Sequence, residues 1–485
     1  MQILWYDYET SGYDAAADRP VQLGWQVTDP GMEPIADAKS LLVRLPDDVL
    51  PSPGAMLVHQ ILPDVHQRDG VSEAELANHL EQLIAPRTLV AGYNSRGFDD
   101  KFTQHIFYRC LRDPYAWQYA DGRGQFDLYP VVLTYFVLAP EAIRWPEDHN
   151  GRPRFKLDRI GPLNQLDQGL KTAHDASSDV AVTARLARQL ALHDPDLFAA
   201  CLKRIDKHFV TDQIRADGRS GGFLEVTSFA GWDRGFVRDL WIPFRLSERS
   251  NDYVAFDLNY DPQHVMTNLI GLVESNGADR SEIRKRVREL GIQTIRINAQ
   301  PMLFRRRMLE PYVKTRLEAF GRDEVRQNQH LDVWQHIQES PAFKQLYQLA
   351  VQVLVQTEQA LPDDVDFGLY AGNFLSTHDK DLLASLPLMD SEGLSQWTQS
   401  FDDPRYDTLL FRYRARNFPQ SLTQSEWKLW QKTRREKLMG VHSTKTQASR
   451  VQDELVAISQ RTDLEPYQIQ QLEQFVMWLD KQPPL

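Results

Sequence analysis

Cysteine is nearly absent from this 485-residue sequence, which holds only Cys110 and Cys201. The two residues lie far apart, and neither has neighbours spaced like metal ligands. Two isolated thiols exclude a disulfide framework and argue against a structural zinc site. Because such cysteine usage is typical of a reducing compartment, we expect a cytoplasmic protein.

A long hydrophobic run is also missing from the sequence. The longest apolar stretch covers residues 131–140, contains Thr134 and is too short to cross a bilayer. Since no basic segment followed by an apolar one opens the chain, we expect no signal peptide and no membrane attachment. The length predicts two or three domains, and no internal repeat or low-complexity segment interrupts them.

An excess of positive charge is absent as well, because the formal net charge is −12. The potential that attracts a polyanion is local, so clusters of basic residues matter more than the total. Such clusters occur at 284–288, 305–307, 412–416 and 432–437. Each could equally be a solvated helix face. The composition therefore permits nucleic-acid binding without indicating it.

Hydrophobic periodicity divides the chain into three regions. Predicted strands cover 2–7, 21–28, 40–45 and 88–92, and predicted helices cover 72–84, 100–111, 128–138 and 177–192. This order favours an α/β domain with a mixed sheet. Strand-like runs between 223 and 298 predict a small β-rich domain, and helical periodicity dominates from about 345. The predicted domains are 1–190, 195–345 and 346–485.

Asp7 and Glu9 stand at the end of the first predicted strand. Residues i and i+2 of a strand project from one face, so the two carboxylates point the same way. Carboxylates held together at the end of a buried strand repel each other unless a cation lies between them. A hard cation with oxygen ligands, Mg²⁺ or Mn²⁺, is the expected occupant. Asp-x-Glu alone is a common tripeptide, so its meaning depends on partners elsewhere.

Two later segments supply those partners. Asp99 lies where a predicted strand turns into a helix, and His174 precedes Asp179 on the first turn of another helix. Taken singly, Asp99 could be a helix cap and His174 an ordinary histidine. Taken together, the order Asp-x-Glu, Asn-x3-Phe-Asp and His-x4-Asp resembles the DEDDh family of 3′→5′ exonucleases, which share a ribonuclease-H-like fold. Four carboxylates can hold two divalent ions about 4 Å apart, and a histidine suits proton removal from water.

The resemblance narrows to the bacterial exonuclease I family and spans nearly the whole chain. The matching segments are 18–20, 50–55, 92–94, 98–100, 106–109, 113–117, 145–146, 297–301 and 411–419. General DEDDh proofreaders and small ribonucleases lack the last two of these segments. The resemblance therefore points to exonuclease I in particular.

This resemblance implies an architecture and an activity. The fold class is α/β, with a ribonuclease-H-like exonuclease domain followed by an SH3-like β-rich domain and a helical C-terminal domain, which together clamp the strand. The implied activity is processive 3′→5′ degradation of single-stranded DNA to 5′-mononucleotides in DNA repair and recombination, by a monomer. Asp7, Glu9, Asp99 and Asp179 are implied as ligands of two Mg²⁺ ions, for which Mn²⁺ can substitute, and His174 as the general base.

Further residues are candidates for contact with the strand. Besides Glu9, they are Thr10, Tyr115, Trp117, Tyr119 and Lys156. Thr10 and Ser11 follow Glu9, so we expect their backbone N–H groups to meet the 3′-terminal nucleotide. The three aromatic residues suit base stacking, although they could equally anchor a loop in the core. Lys156 stands where the family has an arginine on the terminal phosphate, and lysine lacks bidentate geometry.

The segment 412–416 interleaves basic and aromatic residues. Arg412, Tyr413, Arg414 and Arg416 are candidates for binding either the strand or the acidic C-terminal tail of a single-strand DNA-binding protein. The resemblance implies that protein as a partner. Both interpretations require these cations to face outward.

Two other functions compete with the exonuclease. A DEDDh exoribonuclease acting on RNA 3′ ends would use the same catalytic residues, since the metals contact phosphate and not the 2′-hydroxyl. The second and third domains argue against it, because a compact ribonuclease does not need them. A catalytically idle scaffold that binds only the single-strand DNA-binding protein would be expected to lose its acidic residues. All four are present with the histidine.

Overall fold

The computed structural model describes residues 2–170, 175–247, 250–274, 280–309, 311–354, 362–371, 375–440 and 446–481. The chain forms two compact units. The first contains Met1–Asp127, Gln165–Arg188 and Gln359–Leu485, and the second contains Leu128–Asn164 and Gln189–Glu358. The domain boundaries predicted near residues 190 and 345 stay predictions. Among the helices described, none is both long and apolar enough to cross a membrane.

A mixed five-stranded sheet forms the centre of the first unit. Its strands are β1 (Gln2–Thr10), β2 (Pro20–Thr28), β3 (Lys39–Leu42), β4 (Thr88–Gly92) and β5 (Gly124–Asp127). The order is β3-β2-β1-β4-β5, with β1, β2 and β3 antiparallel and with β4 parallel to both β1 and β5. The central strand of the sheet is therefore the one that carries Asp7 and Glu9.

An antiparallel five-stranded sheet belongs to the second unit. Its strands are β6 (Phe223–Val226), β7 (Val237–Arg245), β8 (Asp252–Asp257), β9 (Ile292–Arg296) and β10 (Met302–Arg305). They are ordered β10-β6-β7-β8-β9. One core beneath this sheet is aromatic, since the rings of Trp241 and Trp334 stack with centroids 5.5 Å apart.

The helices of the described residues are listed here in chain order. They are α1 (Pro53–His59), α2 (Pro63–Asp69), α3 (Glu73–Leu83), α4 (Asp99–Arg109), α5 (Leu128–Leu138), α6 (Leu157–Leu163), α7 (Ala176–His193), α8 (Pro195–Leu202), α9 (Lys207–Asp217), α10 (Pro262–Glu274), α11 (Arg280–Glu289), α12 (Pro311–Glu318), α13 (Glu324–Ile337), α14 (Pro341–Leu354), α15 (Thr377–Ser385), α16 (Ser391–Ser395), α17 (Pro404–Asn417), α18 (Gln424–Met439), α19 (Gln447–Ser459) and α20 (Pro466–Asp480).

The predicted fold class is confirmed by these elements, which comprise a mixed α/β sheet, a β-rich region and a helical C-terminal region. Each strand predicted in the first 190 residues is present, with ends that move by up to three residues. The short strands β5 and β10 were not predicted. Asp127 ends β5, where it pairs with Gly92 of β4, and α5 begins at the next residue.

The two faces of β1 have different surroundings. Leu4, Tyr6 and Tyr8 point into a large hydrophobic core with α3 and α4. The alternating residues therefore place Asp7 and Glu9 on the opposite face. The period of the strand thus separates the residues that stabilise the sheet from the two carboxylates.

Buried charges join the C-terminal helices to the rest of the first unit. The Asp366 carboxylate is fully buried and lies 2.5 Å from both the Arg416 guanidinium and the Lys437 ammonium. The same two cations contact Asp48, which lies some 370 residues earlier in the chain, at 2.6 and 3.0 Å. Arg19 lies 3.4 Å from Asp366. Although burial opposes ionisation, these cations hold the pKa of Asp366 well below its usual range.

Removing one charge from this cluster is expected to be costly, because it leaves the buried Arg416 and Lys437 cations sharing the single carboxylate of Asp48. We expect Asp366→Asn to lower the free energy of unfolding by about 3–5 kcal/mol, measured by denaturant titration. Asp69→Asn removes an exposed partner of Arg68, so its effect on the free energy of unfolding should be far smaller. Since the pKa of Asp366 is depressed in the folded state, its contribution is present above about pH 4 and is lost as the pH falls further. Equal costs for the two variants would contradict this account.

Candidate active site

Three carboxylates converge on one face of the mixed sheet. Asp7 and Glu9 come from β1, and Asp179 comes from the first turn of α7. One oxygen atom of each lies within 4.8 Å of the other two. Three hard oxygen ligands at this spacing match the requirements of a divalent cation such as Mg²⁺ or Mn²⁺.

Asp99 lies beside this group at the beginning of α4. Its side chain is buried, and its Oδ1 accepts a hydrogen bond of 3.0 Å from the backbone N–H of Tyr8. Because Tyr8 lies between Asp7 and Glu9, this bond fixes the start of α4 against the acidic end of β1. Asp99 is the first residue of α4, and its carboxylate binds the strand.

Asp100 forms a second layer behind Asp99. Its carboxylate accepts hydrogen bonds of 2.5 Å from the Tyr6 hydroxyl and 2.6 Å from the Gln125 side chain. These contacts tie α4 to β1 and β5. Asp100 was not predicted as a site residue, although it directly follows Asp99. The signal that could have found it is the Asp-Asp pair at a helix start, where one carboxylate faces the site and the other faces the sheet.

The start of α7 is held against β2 at the residues opposite the acidic pair. Gln22 lies across from Glu9, and its Oε1 accepts a bond of 3.1 Å from the Ala176 N–H. Gly24 lies across from Asp7, and a Cβ at Gly24 would come within 2.2 Å of the Ala176 backbone. Only glycine permits this close approach, which sets the depth of α7 and so the position of Asp179.

The electrostatics of the group favour a bound cation. Burial, followed by the charges of Asp99 and Asp179, raises the pKa of Asp7 well above its usual range. Burial together with Asp7, Asp179 and Asp175 raises the pKa of Glu9 to about 9. Burial also raises the pKa of Asp99. Four carboxyl groups that disfavour one another's ionisation fit divalent cations, because a cation converts the repulsion into attraction.

His174, the predicted general base, lies outside the described residues. The neighbouring Asp175 is described, and its Oδ1 accepts a bond of 2.9 Å from the Ser177 N–H at the start of α7. Its charge also raises the pKa of Glu9. Asp175 was not predicted as part of the site. An acidic residue just before a helix is usually a cap, so the sequence carried no separate signal for it.

The residues after Glu9 differ from the expectation. The Ser11 N–H donates a bond of 2.8 Å to the Arg19 carbonyl, so it is already engaged within the protein. The Thr10 side chain is buried, and its hydroxyl donates a bond of 2.8 Å to the Gly12 carbonyl. The expectation that the Ser11 N–H meets a nucleotide was therefore wrong. The predicted substrate contact of Thr10 stays a prediction.

The predicted aromatic contacts separate into two groups. Trp117 is only 5% exposed, and its indole N–H donates a bond of 2.9 Å to the Pro114 carbonyl. It anchors the loop in the core, so the alternative to base stacking describes it correctly. Tyr115 and Tyr119 are 36% and 67% exposed and can be reached from solvent. Lys156 is exposed just before α6, in the second unit.

The segment 412–416 does not present an outward cationic face. Tyr413 packs in the core, and Arg416 is bonded to Asp48 and Asp366. The remaining arginines also face acidic partners, with Arg412 against Asp364 and Asp366 and Arg414 against Glu426. The expected outward face at Arg412, Tyr413, Arg414 and Arg416 was wrong. The sequence shows the cations, but their carboxylate partners are distant in the chain.

The fold and the site together define a class. A mixed sheet with Asp-x-Glu on its central strand, and aspartates at the starts of two helices, is the arrangement of a nuclease with acidic metal ligands. The family model described as Exonuclease matches residues 4–187, and the model described as Exonuclease I C-terminal domain matches residues 363–482. These two matches cover the mixed-sheet region and the C-terminal helices.

Curated relatives and solved structures extend the match over nearly the whole chain. Exodeoxyribonuclease I of Escherichia coli is 31% identical over 89% of both chains, and that of Haemophilus influenzae is 30% identical over 89% of this chain and 90% of that one. The structure of exonuclease I from Methylocaldum szegediense is 30% identical, covers 99% of each chain and has a TM-score of 0.86. E. coli exonuclease I in complex with a dA16 oligonucleotide is 28% identical over 99% of this chain and 100% of that one, also with a TM-score of 0.86.

This chain belongs to the exodeoxyribonuclease I family. It is therefore an exonuclease, a hydrolase of phosphodiester bonds, and its family supports dependence on a divalent metal.

The raised pKa of Glu9 predicts how metal-free protein responds to pH. A carboxyl group with a pKa of about 9 when folded and about 4.3 when unfolded destabilises the fold increasingly as pH rises between those values. In chelator, Glu9→Gln should therefore raise the Tm relative to the parent protein, and by more at pH 8 than at pH 5.5. Glu33→Gln, which changes an exposed glutamate, should leave this pH dependence unchanged. A Tm difference for Glu9→Gln that stays constant with pH would contradict the electrostatic account.

Proposed function

We propose that this protein removes nucleotides one at a time from the 3′ end of single-stranded DNA and releases 5′-mononucleotides. The observation that carries the proposal is the meeting of Asp7, Glu9 and Asp179 on the central strand face, beside Asp99, in a chain of the exodeoxyribonuclease I family. E. coli exonuclease I is known in complex with single-stranded oligonucleotides, which supports the same substrate class for this chain. Processive degradation and a role in DNA repair and recombination stay predictions.

The cofactor we propose is a pair of Mg²⁺ ions, for which Mn²⁺ can substitute. Asp7, Glu9, Asp99 and Asp179 would hold them, since all four offer hard oxygen ligands at one end of the sheet. When bound, such ions supply an activated water and stabilise the leaving oxygen of a phosphodiester. A zinc-bound form of an E. coli exonuclease I complex with single-stranded DNA supports the presence of a metal in this family.

The protein's own groups have distinct parts in the proposed reaction. His174 would take a proton from the attacking water, because an imidazole titrates near neutral pH. The Tyr8 N–H and the hydrogen bonds of Asp100 hold α4 in place and so keep Asp99 oriented. Thr10, Lys156, Tyr115 and Tyr119 are the proposed contacts to the strand. Lys156 would bind a phosphate as a point charge.

The proposed partners follow from the same family. A structure of a single-strand DNA-binding protein with exonuclease I supports binding of such a protein by this chain. We propose that the contact is made by the acidic C-terminal tail of that protein. We propose a monomer that acts in the cytoplasm. The exoribonuclease and the idle scaffold are not favoured, because the relatives that match over most of the chain are exodeoxyribonucleases.

A strand labelled at one end or the other tests polarity, product and cofactor together. With Mg²⁺, a 3′-labelled DNA strand should lose its label at once as a mononucleotide, whereas a 5′-labelled strand should shorten stepwise. Chelator should stop both reactions, and RNA of the same sequence should be degraded more slowly. Asp7→Asn should lower the rate of DNA degradation by about 100-fold or more, because it removes a charged ligand from the proposed metal site.

The matched control is Asp37→Asn, which changes an exposed loop aspartate and should keep the parental rate. Faster turnover of RNA than of DNA would assign the protein to the ribonucleases. Intact DNA after incubation with Mg²⁺ would support the scaffold instead.

A further inference from the structure

The pairing of β1 with β2 becomes irregular directly after Glu9. Glu9 lies across from Gln22, but the register shifts before Thr10, which lies across from Pro20. Proline has no backbone N–H, so it cannot donate a hydrogen bond to the sheet at this point. Strand pairing therefore gives little support to the chain beyond Glu9, and the turn that follows depends on other contacts.

The turn over residues 11–19 packs around the side chain of Asp18. This carboxylate is only 1% exposed, and its Oδ2 accepts a hydrogen bond of 3.0 Å from the Asp14 N–H. A Cβ at Gly12 would come within 2.4 Å of the same oxygen, so the backbone of the turn lies directly against it. A buried carboxylate in this position needs a cation close by.

Arg450 of α19 supplies a cation to this carboxylate. Its Nη2 atom lies 3.0 Å from Asp18 Oδ1. The Asp18 side chain is almost wholly shielded from water, whereas that of Arg450 is one third exposed. Removing Arg450 would leave a buried negative charge without this partner, which is costly. The ion pair therefore ties α19 to the turn.

Glu454, one helical turn further along α19, reaches the same turn through Ser52. The Ser52 hydroxyl donates a hydrogen bond of 2.5 Å to Glu454 Oε2, and the Gly54 N–H donates one of 3.4 Å to the same oxygen. The backbone N–H of Ser52 in turn donates a bond of 2.8 Å to the Ser11 carbonyl. Because Ser11 lies two residues after Glu9, a chain of hydrogen bonds leads from α19 to the acidic end of β1.

Both side chains lie on the side of α19 that faces the first residues of the chain. Arg450 and Glu454 are four residues apart and therefore share a side of the helix. Val451 and Ile458 pack beside them in a hydrophobic core with Leu50. Apolar contacts are not directional, whereas the two charged groups bind particular atoms and so fix a geometry.

We propose that Arg450 and Glu454 are positioning residues for the acidic end of β1. By holding the turn over residues 11–19, they keep Glu9 and the backbone of Thr10 in the orientation that metal and substrate require. The inference rests on the proposed function in one respect, because the rate of DNA degradation is one of its readouts. The C-terminal helices would thus support the active site as well as the fold.

Hydrogen exchange of the full-length protein, followed on peptides by mass spectrometry, tests the positioning without any need for activity. Arg450→Ala and Glu454→Ala should each raise amide exchange over residues 11–19 by about ten-fold or more, because each removes a hydrogen bond to a charged group. Exchange in β4 should stay parental. Thermal denaturation of each variant checks that the fold is kept.

Rates on single-stranded DNA separate positioning from simple stabilisation. In both alanine variants kcat should fall by about ten-fold or more while KM changes little, since a small misplacement of reacting groups slows the chemical step. Glu454→Gln keeps an oxygen that can accept the Ser52 bond, so it should recover most of the rate that Glu454→Ala loses. A purely structural role would lower Tm without this division between kcat and KM and without the recovery.

Two matched controls are available on the same group of helices. Arg461→Ala removes an exposed arginine paired with Asp463, and Glu473→Ala removes an exposed glutamate of α20. Both should show parental exchange and parental rates.

Unchanged exchange over residues 11–19 in both Arg450→Ala and Glu454→Ala would overturn the proposal. Parental kcat in both variants of a protein that degrades DNA would also overturn it. A parent protein that leaves DNA intact, while the two variants still loosen the turn, would count against the proposed function and not against the positioning of the turn.

Discussion

Four carboxylates repel one another at the acidic end of β1, and the surrounding contacts must counter that repulsion. Asp7, Glu9, Asp99 and Asp179 are brought together, and burial disfavours the charged forms of Asp7, Glu9 and Asp99. A chain would not keep such a group for stability, since each charge opposes its neighbours. The fold must therefore hold the group in place with contacts made elsewhere. A divalent cation that binds there relieves the repulsion, and this relief favours its binding.

Those supporting contacts are of two kinds. Close to the group, backbone and side-chain hydrogen bonds fix the starts of α4 and α7 against β1 and β2, through the Tyr8 N–H and Gln22. Farther away, the buried ion cluster of Asp48, Asp366, Arg416 and Lys437 joins the C-terminal helices to the first unit. In both places buried charge is retained, but the far cluster pairs opposite charges whereas the site gathers like ones. The ion cluster therefore stabilises the fold, whereas the carboxylate group destabilises it and is explained by function.

The carboxylate group could be predicted from the sequence because its signals are local. The period of a strand puts Asp7 and Glu9 on one face, and Asp99 and Asp179 stand at helix starts that periodicity marks. The fold class followed from the same patterns, and the family resemblance supplied the order of domains. The short strands β5 and β10 contain no β-branched residue, so the composition typical of strands did not mark them.

Burial by distant partners was beyond the sequence. The sequence suggested that Arg416 is an exposed cation. In the structure it is bonded to Asp48, which lies 368 residues away in the chain. The sequence likewise suggested Trp117 as a residue for base stacking, but the structure buries its side chain in the hydrophobic core. Side chains whose roles depend on long-range packing are thus the ones that pattern reasoning misplaces.

These carboxylates are expected to bind divalent metal. The most direct test is a titration of the parent protein and Asp7→Asn with Mn²⁺, followed by electron paramagnetic resonance of the free ion. The account predicts two saturable sites per chain in the parent and loss or marked weakening of both in Asp7→Asn, with Asp37→Asn unchanged. Mn²⁺ binding by Asp7→Asn that matches the parent would contradict it.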